Sequence, residues 1–294
     1  MSDANQLPDP EKMRRMMACF DAMKRFTEPG ITALYDVIDE RTGQLAASGT
    51  FIANRSERYI LSAGHALWEA TKHNGLAHST KNEAKPRFIA NPMKLAGHPY
   101  DLGIVRLDSD ALDDTEHVAV DSSKLAVTSE GVESDLLFIH GYPGKTSRHV
   151  ALLETVFATS LPYGAATSSS QYPWFDPKLH IALDFSPRGM VDEHGRDANF
   201  IDPHGLSGSA LWKTNRAGKT EAEWSPADAR IVGVIFAWDE KANSLIATRI
   251  EVVRDFILGF VRDEFAYFRW HDNGRPPNTS YSDWIAAVDA IKSI

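Results

Sequence analysis

The sequence contains a single cysteine, Cys19, among its 294 residues. One cysteine permits no intrachain disulfide, no cysteine-rich zinc site and no iron–sulfur cluster. Long apolar runs are also missing: the longest, Ile231–Trp238, is too short to cross a bilayer as a helix. Met1–Glu11 has no basic stretch followed by an apolar run, so no secretory signal is visible. We therefore expect a cytoplasmic protein without a membrane partner.

The sequence also lacks an excess of basic residues. Lys and Arg number 31 against 40 Asp and Glu, which gives a net charge of −9 at pH 7. Binding along a phosphate backbone needs a basic surface, so we expect no nucleic-acid partner. The 43% of hydrophobic and 24% of charged residues are typical of a folded globular protein. The histidines show no zincin-type pair, and we expect neither a metal site nor a cofactor.

Short strands dominate the centre of the chain. Between about residues 31 and 249, segments rich in Val, Ile, Leu, Thr and aromatic residues alternate with polar or Gly- and Pro-containing stretches. No long amphipathic helix alternates with them, which disfavours a doubly wound parallel sheet and favours one or two antiparallel barrels. The predicted strands are Thr32–Ile38, Gly49–Ala53, Tyr59–Ala63, Leu102–Leu107, Leu136–His140, His149–Ala158, His180–Phe185, Ala210–Trp212, Ile231–Trp238 and Ser244–Ile250.

Helical periodicity marks both ends of the chain. Apolar residues from Met13 to Met23 recur at the spacing of an amphipathic helix, which Pro29 and Gly30 end. A second stripe follows Glu251, and a short last helix is predicted after Ser282. We predict an N-terminal helical extension over residues 1–30, a closing helix over 251–263 and a C-terminal extension over 264–294. The Met-rich stripe fits packing on the main body, although methionines also suit a partner-binding helix.

Three local patterns carry side chains suited to nucleophilic catalysis. The strand Tyr59–Ala63 runs through Gly64 to His65. Asp101 opens the next strand, and Ser207 lies between Gly205 and Gly208 in a predicted tight turn. Each pattern alone has a structural explanation: a hydrogen-bonded histidine, a capping aspartate, a polar turn. Their significance depends on their occurring together.

In the order His, Asp, Ser, these patterns resemble the trypsin-like serine peptidases of the chymotrypsin fold. Subtilisin-like enzymes and α/β-hydrolases place the same residue types in other orders. Gly49–Ile52, Val232–Phe236 and Ala247–Ile250 are similar to strands that flank the site in that family. The resemblance covers about residues 32–263. It implies a mainly β peptidase domain over 31–263, built from two antiparallel six-stranded β-barrels at about 31–125 and 126–250.

The resemblance also implies a role for each residue. Ser207 is the nucleophile, His65 the general base and then acid, and Asp101 the residue that orients His65. The backbone N–H groups of Gly205 and Ser207 form the oxyanion hole. The expected activity is that of a serine endopeptidase, with a polypeptide substrate and an acyl-enzyme intermediate.

Leu206 departs from the pattern of many secreted members of this family. Those members have an aspartate at that position, which pairs with a newly freed N-terminus on activation. Leucine makes no ion pair, so we expect no activation of that kind and a closer likeness to the disulfide-free bacterial branch. Restraint of the activity would then involve another device, such as a protein partner bound through the N-terminal helix or the C-terminal tail.

The substrate pocket is assigned by the same resemblance. It implies a pocket lined by the segment before the nucleophile, near Ile201, and by Phe236–Trp238. These residues favour an uncharged pocket over one specific for Lys or Arg, with Asp202 as the one acidic side chain of the set. The predicted lining residues are Ile201, Asp202, His204, Phe236, Ala237 and Trp238.

Two other functions remain open at this point. Phe138–Gly144 resembles the His-Gly oxyanion strand of α/β-hydrolases, in which Ser207 would be assisted by Asp239 or Asp255 and by His271. However, the Gly-x-Ser-x-Gly elbow is incomplete, and a strand is predicted where that fold has a helix. The second alternative is a catalytically silent trypsin-like barrel that acts as a binding module, because a fold does not by itself establish activity.

Overall fold

The computed structural model describes residues 10–37, 42–71, 75–79, 87–89, 93–108, 110–113, 115–144, 150–151, 161–185 and 203–260. Some of the sequence-based predictions fall outside these residues. They concern the pocket residues Ile201 and Asp202, His271, most of the strand predicted over His149–Ala158, and the C-terminal extension over 264–294.

Fifteen strands and three longer helices are described. The helices are α1 (Pro10–Thr27), α2 (Gly64–Thr71) and α3 (residues 250–260). The strands are β1 (Ile31–Val37), β2 (Thr42–Asn54), β3 (Glu57–Ala63), β4 (Leu76–Ser79), β5 (Arg87–Ile89), β6 (Met93–Ala96), β7 (Leu102–Arg106), β8 (Val120–Asp121), β9 (Leu137–Gly141), β10 (Val150–Ala151), β11 (Leu161–Ala165), β12 (His180–Asp184), β13 (Ala210–Lys213), β14 (Arg230–Asp239) and β15 (Ser244–Arg249).

The strands form two separate curled sheets. The first has the order β5-β4-β1-β2-β3-β7-β6, with neighbours antiparallel, and β8 and β10 add to β2. The second has the order β11-β9-β13-β14-β15-β12. Thr167, just after β11, forms an isolated antiparallel bridge with Leu183 of β12. Because β11 and β12 are the edge strands, this bridge joins the two edges of the sheet.

The predicted mainly β double barrel is therefore confirmed. The second barrel has six strands, as predicted, whereas the main path of the first has seven. Five short strands, β4, β5, β6, β8 and β11, were not predicted, because segments of two to five residues carry little periodicity of their own.

The longest apolar run of the sequence becomes β14 because this strand is buried on both faces. Ile231 packs into a core between the two barrels, while its neighbour Val232 packs into the core of the second barrel. Successive side chains of a strand point to opposite faces, so a strand placed between two cores needs apolar residues at consecutive positions. Its position between the cores explains why the run is continuous instead of alternating.

Both terminal helices contribute to the core between the barrels. Cys19 and Met23 from α1 and Val253 from α3 are fully buried there, together with Ile104 of β7 and Trp212 of β13. Fully burying an aliphatic side chain of this size stabilises the fold by roughly 1.5–3 kcal/mol. Burial also raises the pKa of the Cys19 thiol. Among the described residues, no helix is both long enough and apolar enough to span a membrane.

Candidate active site

Strand pairing in the first barrel places His65 beside Asp101. Ala63 at the end of β3 lies opposite Leu102 at the start of β7, and the Gly64 N–H donates to the Asp101 carbonyl over 3.1 Å. His65 is the next residue along, in the first turn of α2. A Cβ on Gly64 would lie 2.6 Å from the Ala96 carbonyl oxygen, so this close approach requires glycine.

His65 and Asp101 are joined by two hydrogen bonds. The His65 backbone N–H donates to Asp101 Oδ1 over 2.7 Å, and Nδ1 lies 2.8 Å from Oδ2. A carboxylate only accepts, so the Nδ1 proton faces Asp101 and Nε2 is the basic nitrogen of the neutral ring. The Asp101 side chain is 5% exposed, whereas that of His65 is 47% exposed and reaches the solvent. Asp101 is thus a buried orienting group for an accessible imidazole.

The second barrel supports the turn that carries Asp101. His180 Nε2 lies 2.7 Å from the Pro99 carbonyl oxygen, and its Nδ1 accepts from the Asp176 N–H, so the ring proton is on Nε2. Burial lowers the pKa of His180, which favours this neutral form. The Thr248 hydroxyl donates to the Tyr100 carbonyl over 2.6 Å. Two consecutive carbonyls before Asp101 are therefore held from across the barrel interface.

Ser207 lies in a tight loop before β13. Gly205 and Gly208 have φ angles of +93° and +88°, which are accessible to glycine but strained for other residues. A Cβ on Gly208 would lie 2.1 Å from the Ser48 carbonyl oxygen. The Ser207 carbonyl accepts from the Ser48 N–H over 2.8 Å, and the Gly208 N–H donates to the Ile235 carbonyl over 2.7 Å. Strands of both barrels therefore fix the loop.

The predicted oxyanion-hole N–H groups are held by the carbonyls behind them. The His204 carbonyl accepts from the Gly144 N–H, and the Leu206 carbonyl accepts from the Ser209 N–H. In a trans peptide the C=O and N–H groups point in opposite directions, so the N–H groups of Gly205 and Ser207 are directed away from these contacts. Within the described part of the chain, neither N–H donates to a backbone carbonyl.

His65, Asp101 and Ser207 all line one cavity of about 310 Å³. Of the predicted pocket residues, the structure brings His204, Phe236, Ala237 and Trp238 to the same cavity. Five further lining residues were not predicted from the sequence: His98, Tyr172, Pro203, Ile235 and Leu245.

The hydroxyl of Ser207 does not donate to His65. Ser207 Oγ donates instead to the Phe236 carbonyl over 3.4 Å, a long and weak contact. A rotation of the Ser207 side chain about χ1 would redirect its hydroxyl. The His–Asp link is thus formed, and the Ser–His link is not formed in this state.

One wall of the cavity is aromatic. His98 stacks on Trp174 with ring centroids 5.6 Å apart, and Tyr172 packs against Phe236 at 6.2 Å. The segment that carries Tyr172 is anchored by Asp239, which accepts from Ser170 Oγ and from the Gln171 N–H over 2.8 and 2.7 Å. Burial raises the pKa of Asp239, but these hydrogen bonds, together with those from the Ala242 and Lys241 N–H groups, outweigh burial and lower it overall. No sequence motif indicated this wall, because it joins loops far apart in the chain.

The α/β-hydrolase alternative is wrong. The Ser207 turn is followed by strand β13, where that fold requires a helix. His140, of the segment that resembled an oxyanion strand, is buried with Nδ1 2.8 Å from the Thr27 hydroxyl of α1. Asp239, proposed there as the catalytic acid, is occupied with the 170–171 segment.

No group of three His, Cys, Asp or Glu side chains in the described ranges is arranged to hold a metal ion. At the cavity, the described residues offer the His65 imidazole, the Asp101 carboxylate, the Ser207 hydroxyl and backbone N–H groups.

Two solved structures define the class of fold. A serine endoprotease from Yersinia pestis matches with a TM-score of 0.50 and 14% identity, over 88% of this chain and 69% of that one. An HtrA-type protease with a tripeptide matches with a TM-score of 0.50 and 12% identity, over 82% of this chain. The chain spans 63% of that second structure, less than two thirds. The fold is the chymotrypsin-like double barrel found in these serine proteases.

Two further comparisons concern the sequence. Residues 263–293 match a family model described as a protein of unknown function, DUF2934. No curated protein matches the chain.

Proposed function

We propose that this protein is a serine endopeptidase of the disulfide-free bacterial type, which cleaves peptide bonds with Ser207, His65 and Asp101. One observation carries the proposal. The buried Asp101 carboxylate holds His65 through both its backbone N–H and its ring, at a cavity that Ser207 also lines. A structural ion pair or a capping aspartate would not need the nucleophile beside it.

The proposed acylation starts with rotation of the Ser207 hydroxyl from the Phe236 carbonyl toward His65 Nε2. Oγ then attacks the substrate carbonyl carbon while its proton passes to Nε2. The new C–O bond gives a tetrahedral oxyanion, which the N–H groups of Gly205 and Ser207 stabilise. Collapse breaks the C–N bond, and His65 returns the proton to the leaving amine.

Deacylation repeats these steps with water as the nucleophile. His65 takes a proton from water as the oxygen attacks the ester carbon, and then protonates Ser207 Oγ as the C–O bond breaks. Asp101 stabilises the imidazolium in both halves of the reaction. No cofactor enters the scheme.

The described cavity walls favour an apolar or aromatic substrate side chain. Phe236, Ala237, Trp238 and Leu245 line the cavity, and Asp101 lies behind His65. This apolar part of a mixed lining gains by burying apolar surface, and the one acidic side chain among the described lining residues, Asp101, is hydrogen-bonded to His65. Asp202 stays a predicted lining residue.

A fluorophosphonate probe tests the proposal directly. Such a probe forms a covalent bond with an activated serine, so we expect labelling of the wild type and none of Ser207→Ala or His65→Ala. Ser244→Ala is the matched control, because Ser244 is a fully buried serine on β15 outside the cavity. Labelling of Ser207→Ala at the wild-type rate would refute the assignment of the nucleophile.

The second candidate is a catalytically silent binding module with the same fold. It is favoured by one observation, the hydrogen bond of Ser207 Oγ to Phe236 instead of His65. If the folded wild type is not labelled but binds a peptide with an apolar side chain in the cavity, this candidate replaces the endopeptidase. Peptide turnover that requires Ser207 excludes it.

A further inference from the structure

Ser48 of β2 connects the two barrels through three of its four hydrogen bonds. Its hydroxyl donates to the Gly205 carbonyl over 2.7 Å and accepts from the Tyr142 N–H over 2.8 Å. Its own N–H donates to the Ser207 carbonyl, and its carbonyl accepts from the Ser62 hydroxyl. Ser48 is fully buried. Ser48 was not predicted as a site residue, since a serine in a strand of small residues carries no motif.

The bond to Gly205 fixes a peptide plane at the centre of the nucleophile loop. The Gly205–Leu206 peptide is held at its carbonyl by Ser48 Oγ and at its N–H by the Pro203 carbonyl, 2.9 Å away. The peptides on either side of it carry the N–H groups of Gly205 and Ser207. Fixing the central plane therefore limits how far these two N–H groups can turn.

Gly205 needs this external restraint more than its neighbours do. Its φ of +93° and the lack of a Cβ allow the peptides on both sides of it to rotate on steric grounds, so hydrogen bonds must hold them, from the Gly144 N–H to the first and from Ser48 Oγ to the second. Ordering the backbone of a residue costs conformational entropy, which a single buried hydrogen bond is of the right size to offset.

We propose that Ser48 is a positioning residue, whose hydroxyl holds the Gly205–Leu206 peptide so that the Gly205 and Ser207 N–H groups point at the oxyanion of the transition state. The inference rests on the proposed function. Ser48 does not line the cavity and acts only through Gly205. Because the oxyanion develops after substrate binds, loss of the restraint slows the chemical step without weakening binding.

Four proteins test this inference: the wild type, Ser48→Ala, Ser48→Cys and the control Ser62→Ala. Ser62 is also fully buried, on the adjacent β3, and donates one bond of the same 2.7 Å length, but to the Ser48 carbonyl instead of to the loop. We expect Ser48→Ala to lower kcat for a peptide anilide by about 10- to 100-fold with KM within about threefold. Ser62→Ala should keep kcat within about threefold.

Ser48→Cys separates the hydrogen bond from the space that the side chain fills. A thiol occupies the cavity that alanine would leave but is a weak donor, so the cysteine variant should stay slow. Recovery of wild-type kcat in Ser48→Cys, or an equal loss in Ser48→Ala and Ser62→Ala, would show a packing role and overturn the inference.

Amide hydrogen exchange over residues 203–209 provides a readout that needs no activity. Ser48→Ala should raise exchange in this segment well above Ser62→Ala, and equal exchange in the two variants would overturn the inference. If the wild type is inactive toward peptides and probe, the proposed function fails. The exchange data would still decide whether Ser48 holds the loop.

Discussion

The Asp101 carboxylate accepts two hydrogen bonds from the single residue His65, at 2.7 Å from the backbone N–H and 2.8 Å from ring Nδ1. The first bond fixes where α2 begins, and the second fixes how the imidazole is turned. One carboxylate thus determines both the position and the tautomer of the proposed base.

Asp101→Asn should separate these two roles. The asparagine carbonyl oxygen can still accept from the His65 N–H, whereas its NH₂ group would face Nδ1 and favour the wrong tautomer. We expect kcat to fall by about 10³- to 10⁴-fold with little change in thermal stability. Steady-state kinetics and a melting curve measure both effects, and activity within tenfold of the wild type would contradict the assigned role of Asp101.

Gly208→Ala and Gly218→Ala form a matched pair with similar backbone angles. Gly208 has φ +88°, and a Cβ there would meet the Ser48 carbonyl oxygen at 2.1 Å, whereas Gly218 has φ +76° and open space around the Cβ position. Alanine at Gly218 should cost about 1–2 kcal/mol from backbone strain alone. Alanine at Gly208 should cost about 3 kcal/mol or more and abolish probe labelling. Equal losses in denaturant unfolding would show that the close approach to Ser48 is unimportant.

Thr248→Val should weaken the connection between the barrels. The substitution keeps the side-chain shape but removes the donor to the Tyr100 carbonyl. We expect a loss of about 1 kcal/mol in the free energy of unfolding. A decrease in kcat smaller than that of Asp101→Asn should accompany it, since the turn before Asp101 is still held by His180. A variant with unchanged stability and kcat would show that this bond does not support the site.

His78 should make stability depend on pH. Burial, and then Arg87 and His117, lower the pKa of His78 from 6.5 to about 3. The unfolded chain therefore binds a proton below about pH 6.5 that the folded protein rejects until about pH 3. The contribution of the neutral His78 ring to the free energy of unfolding is fully present above about pH 6.5. It declines as the pH falls, by up to about 1.4 kcal/mol per pH unit.

His78→Phe should flatten that decline. Phenylalanine keeps the edge-to-face contact with Phe51, now 5.5 Å between centroids, and does not titrate. Urea unfolding at several pH values between about 7 and 4 measures the slope. An unchanged slope in the variant would mean that other groups control the pH dependence.

Much of the architecture could be predicted from the sequence. The apolar segments at Tyr59–Ala63 and Ile231–Trp238 coincide closely with β3 and β14, because a barrel strand must present apolar residues to its core. His65 and Ser207 were predicted through their joint resemblance to a known family, and the glycines beside them reflect local backbone requirements. These backbone requirements depend on neighbouring residues, and they can therefore be predicted from the local sequence.

The missed features depend on contacts between distant segments. Ser48 contacts residues 94 and 157 positions further along the chain, and His180 reaches Pro99 over 81 positions. A serine or histidine in a strand has the same local pattern whether or not it makes such a contact. Tyr172 was missed for the same reason, as its segment lies at the cavity through bonds to Asp239.

The core between the barrels has a consequence for how the protein folds. Ile104 of the first barrel, Trp212 of the second and Cys19 of α1 share one apolar cluster, so each barrel alone would expose a large apolar face. Neither half of the chain is then a complete folding unit, and the two barrels should melt together in a single cooperative transition. Partial unfolding of one barrel would accordingly be rare, which leaves little opportunity for the proposed peptidase to digest copies of itself.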